Sequence, residues 1–307
     1  MLITIERSGS TAGIEMLGAE LRSLRDPWGT EYIWQADTAY WGESAPWLFP
    51  VVCDLRNNQT EILGKTYNIE RHGFARKLQY RVTDRSSDSV TLEAGADRQT
   101  LSMYPFDFVL RQTFTLVGDT LDILTAVRNA GPAEMLFCLG VHPGFRCPLF
   151  ENERFEDYRV VFEEDEDLAC PTLNGKMRLI EPDRINLRIR GRVLQLRHEL
   201  FSNDALVLEH PRSRSVRLMN AWGDGIRVDF PDYESLGLWT MKTKEAPFLC
   251  IEPWNGTCDY TDEEGVFAKK RGVMRLLPDG VKTFHVGLTP LRKVAGNQHM
   301  PIENFTR

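Results

Sequence analysis

Short segments of alternating apolar and polar residues recur along most of this 307-residue chain, separated by turn residues at intervals of about 8 to 12 positions. The clearest pair covers residues 109–116 and 121–127, joined by a turn at Gly118 and Asp119. A period of two is typical of half-buried β-strands, and a short turn containing glycine is typical of a β-hairpin. No segment predicts a helix of four turns. We therefore predict an all-β protein, a large antiparallel β-sandwich.

The composition fits one large domain of this kind. The chain is 42% apolar and 26% charged, which is ordinary for a globular protein, and sandwiches often exceed the usual domain size. Neither an internal repeat nor an obvious linker divides the sequence. We predict a single domain over residues 1–293 and a polar C-terminal tail over residues 294–307.

Charge and cysteine content argue against several classes of protein. The net charge of −7 makes a nucleic acid or an anionic membrane an unfavourable partner. No apolar run approaches the roughly 18 residues of a membrane span, and the N-terminus lacks the pattern of a signal peptide. The six cysteines form no Cys-x-x-Cys pair, which indicates free, mostly buried thiols in a reducing compartment. We predict a cytoplasmic monomer or homodimer.

Three polar residues have the sequence context of a functional site. His72, His142 and Glu252 are each flanked by glycine or proline and by aromatic residues. Such a context is typical of a strand end or tight loop that presents a side chain beside a small-molecule hollow. Taken singly, a histidine of this kind is more often a structural hydrogen-bonding residue, and Glu252 beside Pro253 could merely cap a strand.

Two histidines and a glutamate are also the ligand set of a catalytic zinc site. However, the sequence contains no His-x-x-x-His or His-x-His pair, and the acidic run at residues 163–167 lacks the spacing and central glycine of a calcium loop. We therefore expect neither a metal nor a cofactor. The aromatic stretch at residues 40–52 is either a buried part of the core or one wall of a carbohydrate site.

The ordered set of motifs resembles the aldose 1-epimerases, a family of galactose mutarotase-like proteins. The most specific motifs are Gly140–Val141–His142–Pro143–Gly144–Phe145 and Cys250–Ile251–Glu252–Pro253–Trp254–Asn255–Gly256. The others lie at residues 18–24, 48–50, 72–76, 104–106, 127–129 and 236–240. The resemblance covers nearly the whole chain and implies a galactose mutarotase-like supersandwich with an open sugar cleft.

The resemblance also implies roles for individual residues. Glu252 would be the catalytic base and His142 the catalytic acid, while His72 would help to hold the sugar. A family aspartate that binds sugar hydroxyls falls at Asp204, with Asn203 as the alternative alignment. Trp254 would stack on the sugar or lie in the core.

Two departures from the family pattern affect the substrate. The family commonly has an arginine just after the Phe-Pro motif, where this chain has Cys53–Asp54; Arg56 and Arg76 are our candidates to replace it. The residue after His-Pro is usually aromatic in galactose mutarotases, and here it is Gly144. The identity of the sugar therefore stays open, and a cluster of arginines leaves a sugar phosphate as an alternative.

Mutarotation requires one group that removes the proton of the anomeric hydroxyl and another that delivers a proton to the ring oxygen. Glutamate and histidine can do this without a cofactor, and each positioned proton transfer contributes roughly 10²–10⁴-fold. We expect the carboxylate to raise the pKa of His142, so that the histidine stays protonated beside an ionised glutamate. The competing hypothesis is a sugar-binding or sensing protein without turnover, which the Asp54 departure favours.

Overall fold

The computed structural model describes residues 1–241 and 243–293; the predicted polar tail lies outside them. Within this part of the chain the strands are β1 Leu2–Arg7, β2 Ser10–Glu15, β3 Glu20–Arg25, β4 Trp47–Leu48, β5 Gln59–Ile62, β6 Lys65–Asn68, β7 Arg81–Arg85, β8 Ser89–Gly95, β9 Phe108–Val117, β10 Thr120–Asn129, β11 Met135–Phe137, β12 Leu139–Val141, β13 Gly144–Arg146, β14 Arg159–Leu173, β15 Ile180–Gln195, β16 Leu206–Glu209, β17 Ser215–Met219, β18 Gly225–Asp229, β19 Ser235–Trp239, β20 Phe248–Asn255, β21 Met274–Leu276 and β22 Val281–Leu291.

Helical structure in the same residues is short. One α-helix, α1, covers Arg98–Met103, and single 3₁₀ turns cover Arg56–Asn58, Ala75–Lys77, Phe155–Asp157, His198–Phe201 and Phe267–Lys269. Helix α1 begins with a capping box, in which Thr100 N–H donates to Asp97 Oδ1 at 2.7 Å and Asp97 N–H donates to Thr100 Oγ1 at 2.8 Å. No helix among the described residues is long and apolar enough to cross a membrane.

Two large antiparallel sheets form the body of the molecule, which confirms the predicted all-β fold. One sheet has nine strands in the order β15-β14-β17-β18-β22-β10-β9-β8-β7. The other has the order β16-β19-β20-β12-β4, with β13 also paired to β20. Phe114 and Ile123 of the first sheet line an internal space together with Trp47 and Val141 of the second, so the core lies between the two sheets.

The predicted hairpin at residues 109–127 is confirmed as β9 and β10, which pair from Thr120↔Val117 to Asn129↔Phe108. Every second residue of β9 from Phe108 to Leu116 is buried, and the same holds for β10 from Leu121 to Asn129. The alternation was visible because one face of each strand packs on the core while the other is partly exposed.

The hairpin of β14 and β15 is longer than the sequence indicated. The polar sequence of residues 151–167 predicts an exposed strand and loop, and residues 186–189 and 193–196 predict two separate short strands. The structure instead has strands of 15 and 16 residues. Register shifts between Val161 and Glu166 and around Pro171 put successive side chains out of phase, so no continuous alternation is visible in the sequence.

Candidate active site

His142 and Glu252 are brought together by the register of the six-stranded sheet. Strand β12 pairs with β20 at Gly140↔Trp254, and β13 pairs with β20 at Gly144↔Cys250. Position 142 therefore faces position 252 in the gap between the two short ladders. Pro143 lies in this gap and has no backbone N–H to donate to the sheet. His142 Nε2 lies 3.1 Å from Glu252 Oε2, and both side chains are almost wholly buried. The sheet therefore presents one imidazole directly to one carboxyl group.

A tight loop holds His72 beside this pair. The His72 N–H donates to the Cys53 carbonyl at 3.0 Å, and the Cys53 N–H donates to His72 Nδ1 at 3.1 Å. These reciprocal bonds fix the ring, whose centroid lies 5.5 Å from that of His142. Arg71 Nε also lies 3.1 Å from His72 Nε2. A neutral imidazole has one acceptor nitrogen, so a given tautomer of His72 accepts a hydrogen bond from either the Cys53 N–H or the Arg71 N–H.

Gly73 allows this loop to lie against Phe49. Its φ is +67°, and a Cβ added there would lie 2.1 Å from the Phe49 carbonyl oxygen. We expect Gly73→Ala to lower the free energy of unfolding by about 1–3 kcal/mol, because it combines an unfavourable φ with a backbone clash. Gly64→Ala is the matched control, since Gly64 has a φ of +75° with no atom within 4 Å of the added Cβ. Urea unfolding followed by tryptophan fluorescence compares the two; equal losses would contradict the clash.

The pair faces a narrow pocket that is partly open to solvent. Among the described residues its wall consists of Cys53, Asp54, Arg71, His72, His142, Leu173, Arg178, Asp204, Ala205, Val207, Glu252, Trp254 and Cys258. Four loops, at residues 53–54, 71–72, 204–205 and 258, contribute to this wall. The β14–β15 hairpin, the residue after β12 and strands β16 and β20 supply the rest. The predicted residues His72, His142, Asp204, Glu252 and Trp254 therefore meet in one place.

Buried Asp54 organises two arginines in this wall. Its Oδ2 lies 3.5 Å from Arg71 Nε, and its Oδ1 lies 3.2 Å from Arg178 Nη2. The place of the missing family arginine is thus taken by a carboxylate that holds an arginine from the next loop. Arg71 could have been predicted to lie at the site because it immediately precedes His72. Arg178 lies between the long strands β14 and β15, and no sequence motif marks it as a site residue.

Arg56 and Arg76, the two predicted replacements, do not line the pocket. Arg56 donates to the backbone carbonyls of Tyr260 and Thr261 at 3.3 and 2.7 Å, so its guanidinium is occupied elsewhere. Arg76 pairs with Glu43 at 3.1 Å and donates to the Arg71 carbonyl at 3.1 Å. It therefore supports the loop that carries Arg71.

Between the two aligned candidates at positions 203 and 204, Asp204 is the one in the pocket wall. It has a φ of +80°, a conformation that aspartate tolerates better than most residues. Asn203 is exposed and donates to Asn186 Oδ1 at 2.9 Å. The turn after the 3₁₀ segment therefore directs these neighbouring side chains to different surroundings.

Aromatic rings enclose the reacting pair. Trp41 stacks on His142 with ring centroids 4.9 Å apart, and a Cβ at Gly144 would lie 2.9 Å from Trp41 Cζ3. The absence of a side chain at Gly144 thus makes room for Trp41, a residue that we placed only within an aromatic stretch. Trp254 is buried, and its indole N–H lies near Glu252 without meeting hydrogen-bond geometry.

Burial sets the charge state of the pair and reverses our expectation for His142. Desolvation, reinforced by the positive charge of Arg71, lowers the pKa of His142 to about 3. Desolvation also raises the pKa of Glu252 well above its usual range, although Arg71 opposes this. The pKa of His72 is well below its usual range for the same reason, burial followed by Arg71. Both shifts therefore favour the neutral imidazole and the protonated carboxyl group over their charged forms.

The thiol of Cys250 lies beside His142 and Glu252. Ligand-type atoms of His142, Cys250 and Glu252 lie within 4.8 Å of one another. These three residues are the described group that could hold a metal ion here. All six cysteines lie within the described residues, and all are free and buried, as the sequence predicted.

Solved structures of known proteins superpose closely on this fold. A galactose mutarotase related enzyme from Lactobacillus acidophilus superposes with a TM-score of 0.87 at 30% identity, covering 95% of this chain and 98% of that one. A galactose mutarotase-like protein from Lactobacillus casei ATCC 334 gives the same TM-score and identity, covering 95% of this chain and all 100% of its own. The fold is therefore that of the galactose mutarotase-like proteins.

The sequence comparison is equally extensive. The aldose 1-epimerase family profile matches residues 1–275. Two forms of protein LacX from Lactococcus lactis subsp. lactis, plasmid and chromosomal, are each 35% identical over 286 residues, covering 91% of this chain and 95% of the relative. The chain belongs to the aldose 1-epimerase family.

Proposed function

We propose that this protein interconverts the α and β anomers of a neutral aldose by general acid–base catalysis. The observation that carries the proposal is the 3.1 Å contact between His142 Nε2 and Glu252 Oε2 at the wall of the pocket. Two groups that differ in proton affinity and face one small-molecule cavity are the equipment that ring opening and closure require.

The proton count of the pair suits the reaction. With Glu252 protonated and His142 neutral, the pair holds one transferable proton and one free basic nitrogen. One group accepts the proton of the anomeric hydroxyl while the other donates to the ring oxygen, and the hemiacetal opens. After rotation about the C1–C2 bond the two groups exchange roles, and the ring closes on the other face. The net proton count of the site is unchanged over the cycle.

The other pocket residues would hold and polarise the sugar. Asp204 offers carboxylate oxygens to sugar hydroxyls, and its immediate backbone partner is the N–H of Ala205 at 3.0 Å. Arg71 supplies donors from the position next to His72, and its charge favours the ionised form of Glu252. His72 lies beside the pair, with its Nδ1 held by the Cys53 N–H and its Nε2 in contact with Arg71 Nε.

The charge balance of the pocket favours a neutral sugar over a sugar phosphate. Arg71 and Arg178 both pair with Asp54, and nearby Arg76 pairs with Glu43. A phosphate would have to displace these carboxylates before it could bind the guanidinium groups, which removes much of the gain from a charge-assisted bond.

The competing proposal, a sugar-binding protein without turnover, depended on Asp54 in place of the family arginine. Arg71 supplies a guanidinium at the pocket, so that reason no longer favours it. Exchange between anomeric signals, measured by magnetisation-transfer NMR over a panel of free aldoses, tests the enzyme. We expect acceleration by the wild type and its loss in His142→Asn.

The matched control is His198→Asn, because His198 Nδ1 also lies 3.1 Å from a glutamate oxygen, that of Glu156, outside the pocket. This variant should retain wild-type exchange. Sugar binding by the wild type without accelerated exchange of any aldose would reject the enzyme and support the binding protein.

A further inference from the structure

Cys250 lies beside the reacting pair and has no part in the proton transfers. It is two residues before Glu252 on β20, so both side chains project from the same face of that strand. Its register partner is Gly144, where an added Cβ would lie 3.4 Å from Cys250 Sγ. The missing side chain at position 144 leaves the sulfur next to His142 instead of behind a larger residue.

We propose that His142 Nε2, Cys250 Sγ and a Glu252 carboxyl oxygen form a binding site for a soft divalent cation such as Zn²⁺. Their ligand atoms already lie within 4.8 Å of one another, with 3.1 Å between the nitrogen and the oxygen. Tetrahedral zinc with ordinary bond lengths needs such atoms about 3.4–3.6 Å apart. Binding therefore requires His142 Nε2 and the Glu252 oxygen to move apart by roughly a few tenths of an ångström from their 3.1 Å separation.

The chemistry of the three groups supports a cation of this class. Thiolate, imidazole and carboxylate form a set that selects zinc-like metals over magnesium or calcium. Deprotonated Cys250 and Glu252 together carry a charge of −2, which a divalent ion neutralises in a site where either charge alone is unfavourable. Three protein ligands leave a fourth position, and His142 and Glu252 direct it to the pocket, where water or a sugar hydroxyl can enter.

The hydrogen bonding of the second ring nitrogen of His142 indicates that the bound ion would exchange readily. His142 Nδ1 is buried without a hydrogen-bond partner among the described residues, whereas a permanent zinc ligand usually donates its second nitrogen to a carboxylate or carbonyl. The ion would occupy the atoms that transfer protons, so bound metal and turnover exclude one another. This inhibitory consequence rests on the proposed function; the binding site itself does not.

Cobalt(II) is the probe for binding, because a Co²⁺–thiolate bond gives a near-ultraviolet charge-transfer absorption. We expect this absorption in the wild-type protein and its loss in Cys250→Ala. Cys147→Ala, a buried cysteine outside the pocket wall, is the matched control and should keep it. Cys53→Ala and Cys258→Ala test the other two thiols, which also line the pocket.

The site is rejected if the absorption is absent from the wild type, survives in Cys250→Ala, or disappears only in Cys53→Ala or Cys258→Ala. For inhibition, Cys250→Ala should keep the basal rate of anomer exchange and need a Zn²⁺ concentration at least about tenfold higher for half inhibition. A chelator should restore the wild type. Equal Zn²⁺ sensitivity of wild type and Cys250→Ala would overturn the inhibition. A cobalt spectrum from a protein without exchange of any aldose would reject the proposed function and leave the metal site intact.

Discussion

Glu252→Gln is expected to lower the rate of anomer exchange by roughly 10²–10⁴-fold, because it removes one of the two proton-transfer groups, and to raise the stability of the protein at neutral and alkaline pH. Glutamine preserves the size of the side chain and one hydrogen-bonding oxygen beside His142. It carries no ionisable proton, however, so neither direction of the reaction can use it as acid or base.

The stability effect has a definite sign because burial raises the pKa of Glu252 well above 4.5. The stability that this group contributes is fully present below the unfolded pKa near 4.5, and it is lost as the pH rises toward the folded pKa. Over that interval the wild type loses about 1.4 kcal/mol for each pH unit. Glutamine has no such loss, so the advantage of the variant should increase with pH.

His142 has the opposite dependence. Burial lowers its pKa from 6.5 to about 3, so its contribution is present above pH 6.5 and is lost as the pH falls toward 3. Because both proteins contain this histidine, the comparison is cleanest above pH 6.5, where the imidazole is neutral in the folded and unfolded states.

Urea unfolding at a series of pH values from 4.5 upward, together with magnetisation-transfer NMR, measures both effects. Glu166→Gln is the matched control, since Glu166 is also buried but binds the N–H groups of Arg212 and Ser213 and the Ser213 hydroxyl. It should keep exchange. An active Glu252→Gln protein would remove Glu252 from the proposed mechanism, and a stability difference independent of pH would contradict the assigned charge state.

The sequence predicted the sheets and the reacting pair for different reasons. Alternation revealed β9 and β10, where each strand has one buried and one partly exposed face. It could not reveal the pairing of His142 with Glu252, which depends on the register of strands 110 positions apart; only the family motifs joined these two residues. The short helix α1 has too few residues to show a helical period, although its Asp97–Thr100 capping box is a local signal.

The remaining features of the site depend on three-dimensional packing. Residue types alone suggested a charged histidine beside an ionised glutamate, but burial makes the neutral forms of both groups more favourable, and Arg71 reinforces this effect only for His142. Trp41 occupies the space that a side chain at position 144 would need, although the two residues are 103 positions apart. Arg178 reaches Asp54 from a hairpin whose bulges concealed its length. In each case the deciding quantity is burial or register, which a local pattern does not contain.

The largest loss of stability is expected from Lys270→Met. Lys270 Nζ lies 2.6 Å from Asp259 Oδ1, and both side chains are less than 5% exposed. Burial acts to lower the pKa of Lys270, but the charge and hydrogen bond of Asp259 together with the nearby Cys138 and Glu263 outweigh it and raise the pKa, so the lysine is charged. Methionine fills a similar volume but leaves Asp259 without its cation, which should lower the free energy of unfolding by about 3–5 kcal/mol.

Asp259 also connects this ion pair to the pocket. Its N–H donates to the Asp54 carbonyl at 2.9 Å, and its Oδ2 accepts the N–H of Arg56 at 2.8 Å. The double variant Asp259→Asn/Lys270→Met removes both charges and keeps an oxygen for the Arg56 N–H, so it should be more stable than Lys270→Met alone.

Lys269→Met is the control, because the neighbouring Lys269 pairs with Glu264 at 2.8 Å on the exposed surface, where an ion pair contributes little. Urea unfolding of the four proteins separates the effects. If Lys270→Met were no less stable than Lys269→Met, the buried ion pair of Lys270 and Asp259 would not stabilise the fold beside Asp54. If the double variant were less stable than Lys270→Met, the loss would come from packing and hydrogen bonding instead of from an unpaired charge.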